Sequence, residues 1–523
     1  MSEPSPAPRR ARWWPAVVIV TGAVIAYAVL FVIPHKSQQH FNLNVARVVL
    51  VLLGLLLVWL LAFSRLTWWR RVGGLAGFIA TLGLLAAVFR IHGVDGDLVP
   101  IIEPRWARRS TPVAVPTPVP AATTAQTNRV SVGPAGAADF QQFLGPDRNG
   151  ILAGPRLATN WTTQPPVQLW RQPVGAAWSG FVVAGRLAVT QEQRGEEELI
   201  TAYDLETGRL VWSHADTARY FTTLAGEGPR ANPTVAGGRV FAQGATGRFT
   251  CLELATGREI WSKDILREHD GKVPDWGLSS SPLVFDDVVV ANPGGRANQS
   301  LVAYAIADGS VRWAGGKFGA SYSSPTLRIF GGLRQVLVFD DSLVACDATN
   351  GAPLWSYKWP GGHPHVAMPV FIGTNDVILS SGYGTGSARI TVTRDAEGKW
   401  TARQVWRTNR MKSKFSNPLL HEGHLYGLDD GFMACLDAAT GEMKWKDGKY
   451  GHGQILLVGG RLLVMAEAGE IVLLDPSPTG LRELTRFKVL TDKTWNPPAL
   501  AGEFLLVRND KEAACYRMPV EAR

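Results

Sequence analysis

Apolar and polar positions follow two different patterns along this chain. Three early stretches are almost continuously apolar: Pro15–Pro34, Val45–Phe63 and Val72–Phe89. Each has about the 20 residues that a helix needs to cross a ~30 Å hydrocarbon core. From about Trp161 onward, short apolar runs are separated by turns rich in Gly, Pro, Asn and Asp, as is typical of short β-strands. The pattern predicts three transmembrane helices followed by an all-β region.

Charged residues around the apolar stretches predict their orientation. Basic residues precede the first stretch and separate the second from the third: Arg9, Arg10, Arg12, Arg65, Arg70 and Arg71. The loop between the first two stretches has only Lys36. By the positive-inside rule the N-terminus is cytoplasmic, and three crossings place the rest of the chain outside. A cleaved signal peptide is the alternative for the first stretch, but no small-residue cleavage site follows it.

Composition then separates the regions of the chain. Residues 1–14 are a basic cytoplasmic N-terminus, 15–90 hold the three helices, and 91–138 form a juxtamembrane and Pro-rich linker. Residues 139–523 form the β region. The first 138 residues hold 13 Lys plus Arg against 4 Asp plus Glu, so the remaining 40 of each leave the β region neutral. The net charge of +9 therefore reflects membrane topology, and nucleic acid is not an expected partner.

A repeat that ends in tryptophan runs through the β region. Its clearest copies are AYDLETGRLVW from Ala202, CLELATGREIW from Cys251, AYAIADGSVRW from Ala303, ACDATNGAPLW from Ala345 and CLDAATGEMKW from Cys435. The unit predicts a hairpin in which Asp204 caps the turn, Gly208 supplies a positive φ and a second strand carries Trp212. Successive terminal tryptophans are roughly 40 to 50 residues apart, which is the length of one four-stranded propeller blade.

The two ends of the β region complete one another. The chain ends soon after the AACYR segment at Cys515, which matches only the third strand of a unit. The VQLWR segment around Trp170 has the pattern of a last strand and is expected to pair with it. Counting units from Trp170 gives eight blades. Eight blade-opening turns agree with this number, and they begin at Trp178, Ala231, Ser280, Ser323, Ala367, Ser416, His452 and Asn496. The predicted fold is an eight-bladed β-propeller preceded by three transmembrane helices.

The A-x-D-x-x-T-G-x-x-x-W unit resembles the tryptophan-docking repeat of the pyrroloquinoline quinone (PQQ)-like propeller superfamily. This superfamily includes quinoprotein alcohol dehydrogenases and BamB-like propellers. The resemblance implies that the terminal tryptophans dock against the neighbouring blade, a role carried over to Trp170, Trp212, Trp261, Trp313, Trp355, Trp406 and Trp445. It also implies the fold, but not that PQQ binds, because binding and non-binding members share these positions.

Polar residues in the loops before the opening turns are the candidate ligand-binding site. They are Glu227, Arg230, Asn232, Asp275, Trp276, Tyr322, His363, His365, Lys414, Asn417, His452, Gln454 and Asn496. The alternative interpretation is that they close the channel and are solvated. The four cysteines are far apart, without a CxxC or a Cys-His cluster, so disulfides and zinc are not expected. No other metal is expected from the histidines.

Two functions are consistent with these observations. The favoured one is a binding or scaffold propeller, anchored in a bacterial inner membrane on the periplasmic side, that presents its loops to a protein or a small polar ligand. The alternative is a quinoprotein oxidoreductase that uses PQQ and calcium to oxidise an alcohol or a sugar. No set of catalytic residues for that chemistry can be aligned, and the chain has no CxxCH motif for covalent haem.

Overall fold

A computed structural model describes residues 11–33, 35, 37–106, 139–222 and 226–521. The chain divides into two compact units, Met1–Arg109 and Ser110–Arg523. Arg9 and Arg10 lie outside the described residues, as does most of the predicted linker, residues 107–138.

Three apolar helices form most of the first unit. They are α1 (Trp14–Val32), α2 (Gln38–Val58), which a π-helical turn extends over Trp59–Phe63, and α3 (Trp68–Val88). All three are long and apolar enough to cross a membrane. Helix α2 begins upstream of the predicted Val45, because Ser37 caps it by accepting a hydrogen bond from the His40 N–H. The three predicted apolar helices are therefore present.

A hairpin that the sequence analysis assigned to the linker follows α3 directly. Strand β1 (Phe89–Val94) pairs antiparallel with β2 (Pro100–Pro104), and Ile91 lies opposite Ile102. The pairing has a β-bulge between Ile91 and Gly93. The bulge interrupts the strict alternation by which a strand is usually predicted.

Eight successive sheets make up most of the second unit, and we number them in chain order. Two strands precede them, β3 (Ile151–Leu152) and β4 (Val167–Pro173). Sheet 1 contains β5 (Val182–Ala184), β6 (Leu187–Arg194), β7 (Glu197–Asp204) and β8 (Leu210–Thr217). The ribbon of β9 (Phe221–Thr222) and β10 (Gly226–Glu227) precedes sheet 2, which contains β11 (Thr234–Ala236), β12 (Arg239–Gln243), β13 (Arg248–Glu253) and β14 (Glu259–Asp264).

The one-turn helix α4 (Ile265–Glu268) follows sheet 2 in the chain, and three further sheets come after it. Sheet 3 contains β15 (Leu283–Phe285), β16 (Val288–Ala291), β17 (Leu301–Ala305) and β18 (Val311–Gly315). Sheet 4 contains β19 (Thr326–Phe330), β20 (Leu333–Phe339), β21 (Ser342–Asp347) and β22 (Pro353–Lys358). Sheet 5 contains β23 (Val370–Ile372), β24 (Asp376–Ser381), β25 (Gly386–Arg394) and β26 (Trp400–Thr408).

The last three sheets complete the unit. Sheet 6 contains β27 (Leu419–His421), β28 (His424–Asp429), β29 (Phe432–Asp437) and β30 (Met443–Lys449). Sheet 7 contains β31 (Gln454–Val458), β32 (Arg461–Ala466), β33 (Glu470–Leu474) and β34 (Glu483–Lys488), with β3 added parallel to β31. Sheet 8 contains β35 (Ala499–Ala501), β36 (Phe504–Arg508), β37 (Glu512–Arg517) and β4.

Sheet 8 joins the two ends of the β region. Strand β4 pairs antiparallel with β37, and Trp170 lies opposite Cys515. The predicted pairing is confirmed. First strands of neighbouring sheets also pack together, and β35 of sheet 8 packs against β5 of sheet 1.

The tryptophan repeat explains how neighbouring sheets pack. In the first copy the Thr207 N–H donates to Asp204 Oδ1 at 3.0 Å, and Gly208 has a φ of +70°. The indole of Trp170 lies against this glycine, and its Nε1 donates to the Leu205 carbonyl at 2.8 Å. Equivalent bonds join Trp212 to Leu254, Trp261 to Ile306, Trp406 to Ala438 and Trp445 to Ser477 at 2.8 to 3.2 Å.

Of the other two tryptophans, Trp313 keeps the glycine contact and Trp355 departs from the arrangement. Trp313 packs on Gly351, where an added Cβ would lie 2.6 Å from its ring. Trp355 Nε1 instead donates to Gln335 Oε1 of its own sheet at 2.7 Å. Sheet 5, the next sheet, lacks the Thr-Gly turn. Its strands β25 and β26 are longer and are joined by a different turn.

Two glycines test this packing as a matched pair. Gly208 and Gly185 both have positive φ, so an alanine at either costs about 1–2 kcal/mol of backbone strain. Only at Gly208 would the new Cβ meet a neighbour, at 2.7 Å from Trp170. We expect Gly208→Ala to cost about 1–3 kcal/mol more than Gly185→Ala, measured by thermal unfolding of the purified protein. Equal losses would contradict the packing role of the glycine.

Candidate functional site

Several amides that the sequence analysis named as candidate ligand-binding residues connect neighbouring sheets. Asn232 Oδ1 accepts from the Gly180 N–H at 2.8 Å, which joins sheets 1 and 2. Asn417 Oδ1 accepts from the Met368 N–H at 2.8 Å, which joins sheets 5 and 6. Each amide thus uses a side-chain oxygen to satisfy a buried backbone donor.

These bonds belong to a series that we call the belt. The Asn232 N–H donates to Ser281 Oγ and the Ser281 N–H to Ser324 Oγ, while Ser323 Oγ donates to the Ala367 carbonyl. Gln454 Nε2 donates to the carbonyls of Phe415 and Trp495 at 3.0 and 2.9 Å. Asn496 Nδ2 donates to those of Ala177 and Ser179 at 2.9 and 2.8 Å. The belt thus connects each sheet to the next, and sheet 8 to sheet 1.

Residues 139–152, which we call the arm, cross the first strands of several sheets. Phe140 forms a bridge with Val183 of sheet 1, and the Val235 N–H of sheet 2 donates to the Gln141 carbonyl at 2.8 Å. At its other end the arm supplies β3 to sheet 7. The sequence analysis placed the arm in the β region without a specific role.

Arg148 is a buried cation of the arm. Its guanidinium donates to the carbonyls of Ser281, Pro282 and Pro325 at 3.0 to 3.1 Å and to Gln142 Oε1 at 3.1 Å. Burial lowers the pKa of this guanidinium to about 9. The buried cation is stabilised by hydrogen bonds to carbonyls of the turns that open sheets 3 and 4.

A cluster of aromatic and cationic side chains lies at the turns of sheets 5 to 8 and sheet 1. We call it the rim, and it consists of Trp178, His363, Tyr383, Lys414, Phe415, His452, Lys493 and Trp495. The ring of Trp495 is centred 4.8 Å from Trp178 and 4.9 Å from Phe415. Lys493 Nζ lies 4.1 Å above the Trp495 ring, and Lys414 Nζ lies 4.9 Å from the Tyr383 ring.

Glu467 holds part of the rim in place. Its Oε1 accepts from Trp495 Nε1 at 2.7 Å, and its Oε2 accepts from the His452 N–H at 2.9 Å. Trp178, Tyr383, Phe415 and Trp495 are half-buried, so each ring is partly packed and partly accessible to solvent. Such rings lose little conformational entropy on binding, which makes them suited to contact a partner.

Three of the rim residues, His363, Lys414 and His452, were predicted from the sequence, while its large aromatic rings were missed. These aromatic rings could have been found from a shared position in the repeat. Trp178, Tyr322, Phe415 and Trp495 each come four residues before their sheet's first strand. The loops before these strands differ in length, which hides the position unless the chain is aligned on its strands.

The remaining predicted residues lie around sheets 2 to 4. Arg230 stacks over the Tyr220 ring at 4.5 Å, and burial lowers its pKa to about 10. The Tyr220 hydroxyl donates to the Asp275 carbonyl at 2.6 Å, and the Trp276 N–H contacts the Tyr322 hydroxyl at 3.4 Å. Burial raises the pKa of Tyr322 to about 12.

The Glu227 carboxylate forms an ion pair. Its Oε1 lies 3.0 Å from Arg219 Nε at the edge of this group. Glu227 lies in β10, and its carboxylate is paired with Arg219 rather than free.

The two histidines of the HPH segment have different environments. His363 is exposed and stacks on Tyr383 at 5.2 Å. His365 is buried and stacks on Phe339 at 5.0 Å, and burial lowers its pKa to about 4, so it is neutral at pH 7. Among the described residues no three His, Cys, Asp or Glu side chains come together as potential metal ligands. The four cysteines are buried and free.

Comparisons with known proteins agree with this architecture. A family model described as outer membrane protein assembly factor BamB matches residues 196–447. The curated protein of that name from Shewanella oneidensis is 24% identical over 302 residues, which cover 53% of this chain and 71% of that protein.

Solved structures show the same fold at low sequence identity. BamB from Moraxella catarrhalis superposes with a TM-score of 0.50 at 13% identity, over 68% of this chain and all of that one. Quinohemoprotein alcohol dehydrogenase from Comamonas testosteroni gives 0.53 at 13% identity, over 74% and 81%. A europium-containing methanol dehydrogenase gives 0.51 at 12% identity, over 71% and 90%. The chain thus has a PQQ-like repeat β-propeller fold, resembling BamB and the quinoprotein alcohol dehydrogenases.

Arg148 offers a test of the arm. We expect Arg148→Met, which keeps the volume but removes the donors, to cost about 2–4 kcal/mol, because buried carbonyls lose their partners. Arg156→Met is the matched control, since the Arg156 side chain is 68% exposed. Thermal unfolding measures both, and an Arg148→Met protein as stable as the control would show that the carbonyls do not need the guanidinium.

Proposed function

We propose that this protein is a membrane-anchored binding module whose second unit is a closed, eight-bladed propeller. The closure is supported by the pairing of β4 with β37 and by the belt, whose last bonds run from Asn496 to carbonyls of sheet 1. In such a ring the arm fills the central channel, with Arg148 among its carbonyls. The rim lies along the part of the channel mouth formed by sheets 5 to 8 and sheet 1, and it is the proposed binding face.

The rim is the observation that supports a binding role. It joins half-buried tryptophan, tyrosine and phenylalanine rings to two lysines across adjacent sheets. Aromatic anchors of this type dominate the binding energy of protein interfaces, and rings that are already partly packed are preorganised. Lys414 is buried, but the half-buried Lys493 favours a partner segment that carries carboxylates beside apolar or aromatic side chains. We therefore favour a protein segment as the ligand.

The proposed location follows from the charges around the helices. Arg65, Arg70 and Arg71 lie between α2 and α3, while the other connection has a single lysine, Lys36. By the positive-inside rule this asymmetry supports a cytoplasmic N-terminus and a propeller on the periplasmic side of a bacterial inner membrane. The similarity to a protein named as an outer membrane protein assembly factor supports a role in the cell envelope.

Three oxygen-bearing side chains near the turns are already engaged, which argues against the calcium and quinone set of a quinoprotein dehydrogenase. The amide oxygens of Asn232 and Asn417 accept backbone N–H groups, and Glu467 accepts from Trp495 and His452. In the described ranges no acidic cluster is arranged to hold a metal. A calcium ion needs six to eight oxygen ligands, and these side chains are already engaged.

Site-specific photocrosslinking tests the binding role. Benzoylphenylalanine at Phe415 or Trp178 keeps an aromatic ring in the rim, and the same residue at Val405, which is 51% exposed on β26, is the control. In cells we expect a protein adduct from the rim positions and none from Val405. Lys493→Glu should reduce the adduct several-fold without changing the melting temperature. Adducts that form equally from Val405, or none from the rim, would contradict the proposal.

A second assay addresses the dehydrogenase alternative. The purified protein is incubated with PQQ and calcium and freed of excess cofactor. We expect no retained quinone absorbance and no alcohol-dependent dye reduction. Retention of PQQ with turnover would overturn the binding-module proposal.

A further inference from the structure

The hairpin of β1 and β2 has one apolar and one polar face. Ile91 and Ile102 lie opposite each other, and their side chains are 68% and 61% exposed. The neighbouring pair, Arg90 and Glu103, forms an ion pair of 3.2 Å and is only 18% and 25% exposed. The hairpin thus turns its apolar pair outward and its charges inward, the reverse of what water favours.

The position of the hairpin is fixed by the end of an apolar helix. Strand β1 begins at Phe89, directly after α3 ends at Val88. Beyond β2, the Arg105 N–H donates to the Val88 carbonyl at 2.8 Å, and Arg105 Nε donates to the Ala86 carbonyl at 2.7 Å. These bonds satisfy carbonyls that the end of the helix leaves without partners. The hairpin therefore cannot move far along the axis of α3.

A second bond ties the hairpin to the start of α2. Asn42 Nδ2 donates to the Asp97 carbonyl in the turn between β1 and β2 at 3.0 Å. The end of α3 and the start of α2 lie on the same side of a membrane that both helices cross. The hairpin is thus bonded to the start of α2 and to the end of α3, where these helices would leave the hydrocarbon core.

We propose that this hairpin is an interfacial anchor, with Ile91 and Ile102 inserted among the lipid acyl chains beside α3. The charged pair then faces the helix ends, away from the lipid. Trp106, which is 72% exposed directly after the hairpin, is the residue type that membrane interfaces favour. Apolar side chains on such elements insert roughly 5–10 Å into the boundary of headgroups and acyl chains.

The occupant of the apolar face is lipid because the face is continuous with a helix that is long and apolar enough to cross a membrane. No residue separates α3 from β1, and α3 itself has no buried residue. The hairpin would hold the chain at the membrane surface where the segment leading to the second unit begins.

A pair of adjacent labels tests the proposal in the full-length protein. The four native cysteines are buried, and burial raises the pKa of Cys251 and Cys435 to about 11, so they react slowly. Ile102→Cys and Glu103→Cys are each labelled with an environment-sensitive fluorophore, and the protein is placed in nanodiscs. Nitroxide lipids then report contact with the acyl chains.

We expect nitroxide lipids to quench the label at position 102 at least twofold more than the label at 103. Ile91→Cys is the second variant, and it should behave like Ile102→Cys. Equal quenching at 102 and 103, or water-like emission at 91 and 102, would overturn the proposal. So would a label at 102 that is shielded from water yet unquenched by lipid, because a protein partner or a second copy would then cover the face.

Discussion

The pairing of β4 with β37 is the interaction on which the rest of the second unit depends. Strand β37 lies between β36 and β4, so each of its edges is hydrogen-bonded within sheet 8. Without β4, one edge of β37 would be left open and Trp170 would lose its place against Gly208 of sheet 1. The partner strands are separated by most of the β region, so a local hairpin cannot replace this contact.

Joining the ends places strict demands on the turns between the sheets. Neighbouring first strands approach closely, and the backbone groups before them must find partners. The belt supplies these through Asn, Ser and Gln side chains, and Arg148 supplies donors for three further carbonyls. The polar side chains of the belt are therefore used for structure. In the proposed function the partner is contacted by the aromatic rings of the rim.

Sequence alone predicted the features that residue type and the spacing of the repeat determine. The turn at Asp204 and Gly208, the pairing of Trp170 with Cys515 and the three apolar helices all follow from residue type and spacing. Periodicity failed at the hairpin of β1 and β2, because the bulge at Ile91 shifts its alternation.

The candidate site was harder to predict because it depends on tertiary partners. Asn232, Asn417 and Asn496 have the residue type of a ligand-binding amide, and only the fold shows that neighbouring sheets already use them. Arg148 lies in a polar turn that could equally be exposed. Its burial depends on carbonyls that lie far away in the sequence.

Hydrogen exchange along β4 is the most direct test of the account. If β4 closes the unit by pairing with β37, the amides of Val167–Pro173 that face β37 should exchange as slowly as those of β8, Leu210–Thr217, the matching outer strand of sheet 1. Exchange within seconds in β4, while β8 remains protected, would contradict the closed arrangement and with it the interpretation of the belt and the arm.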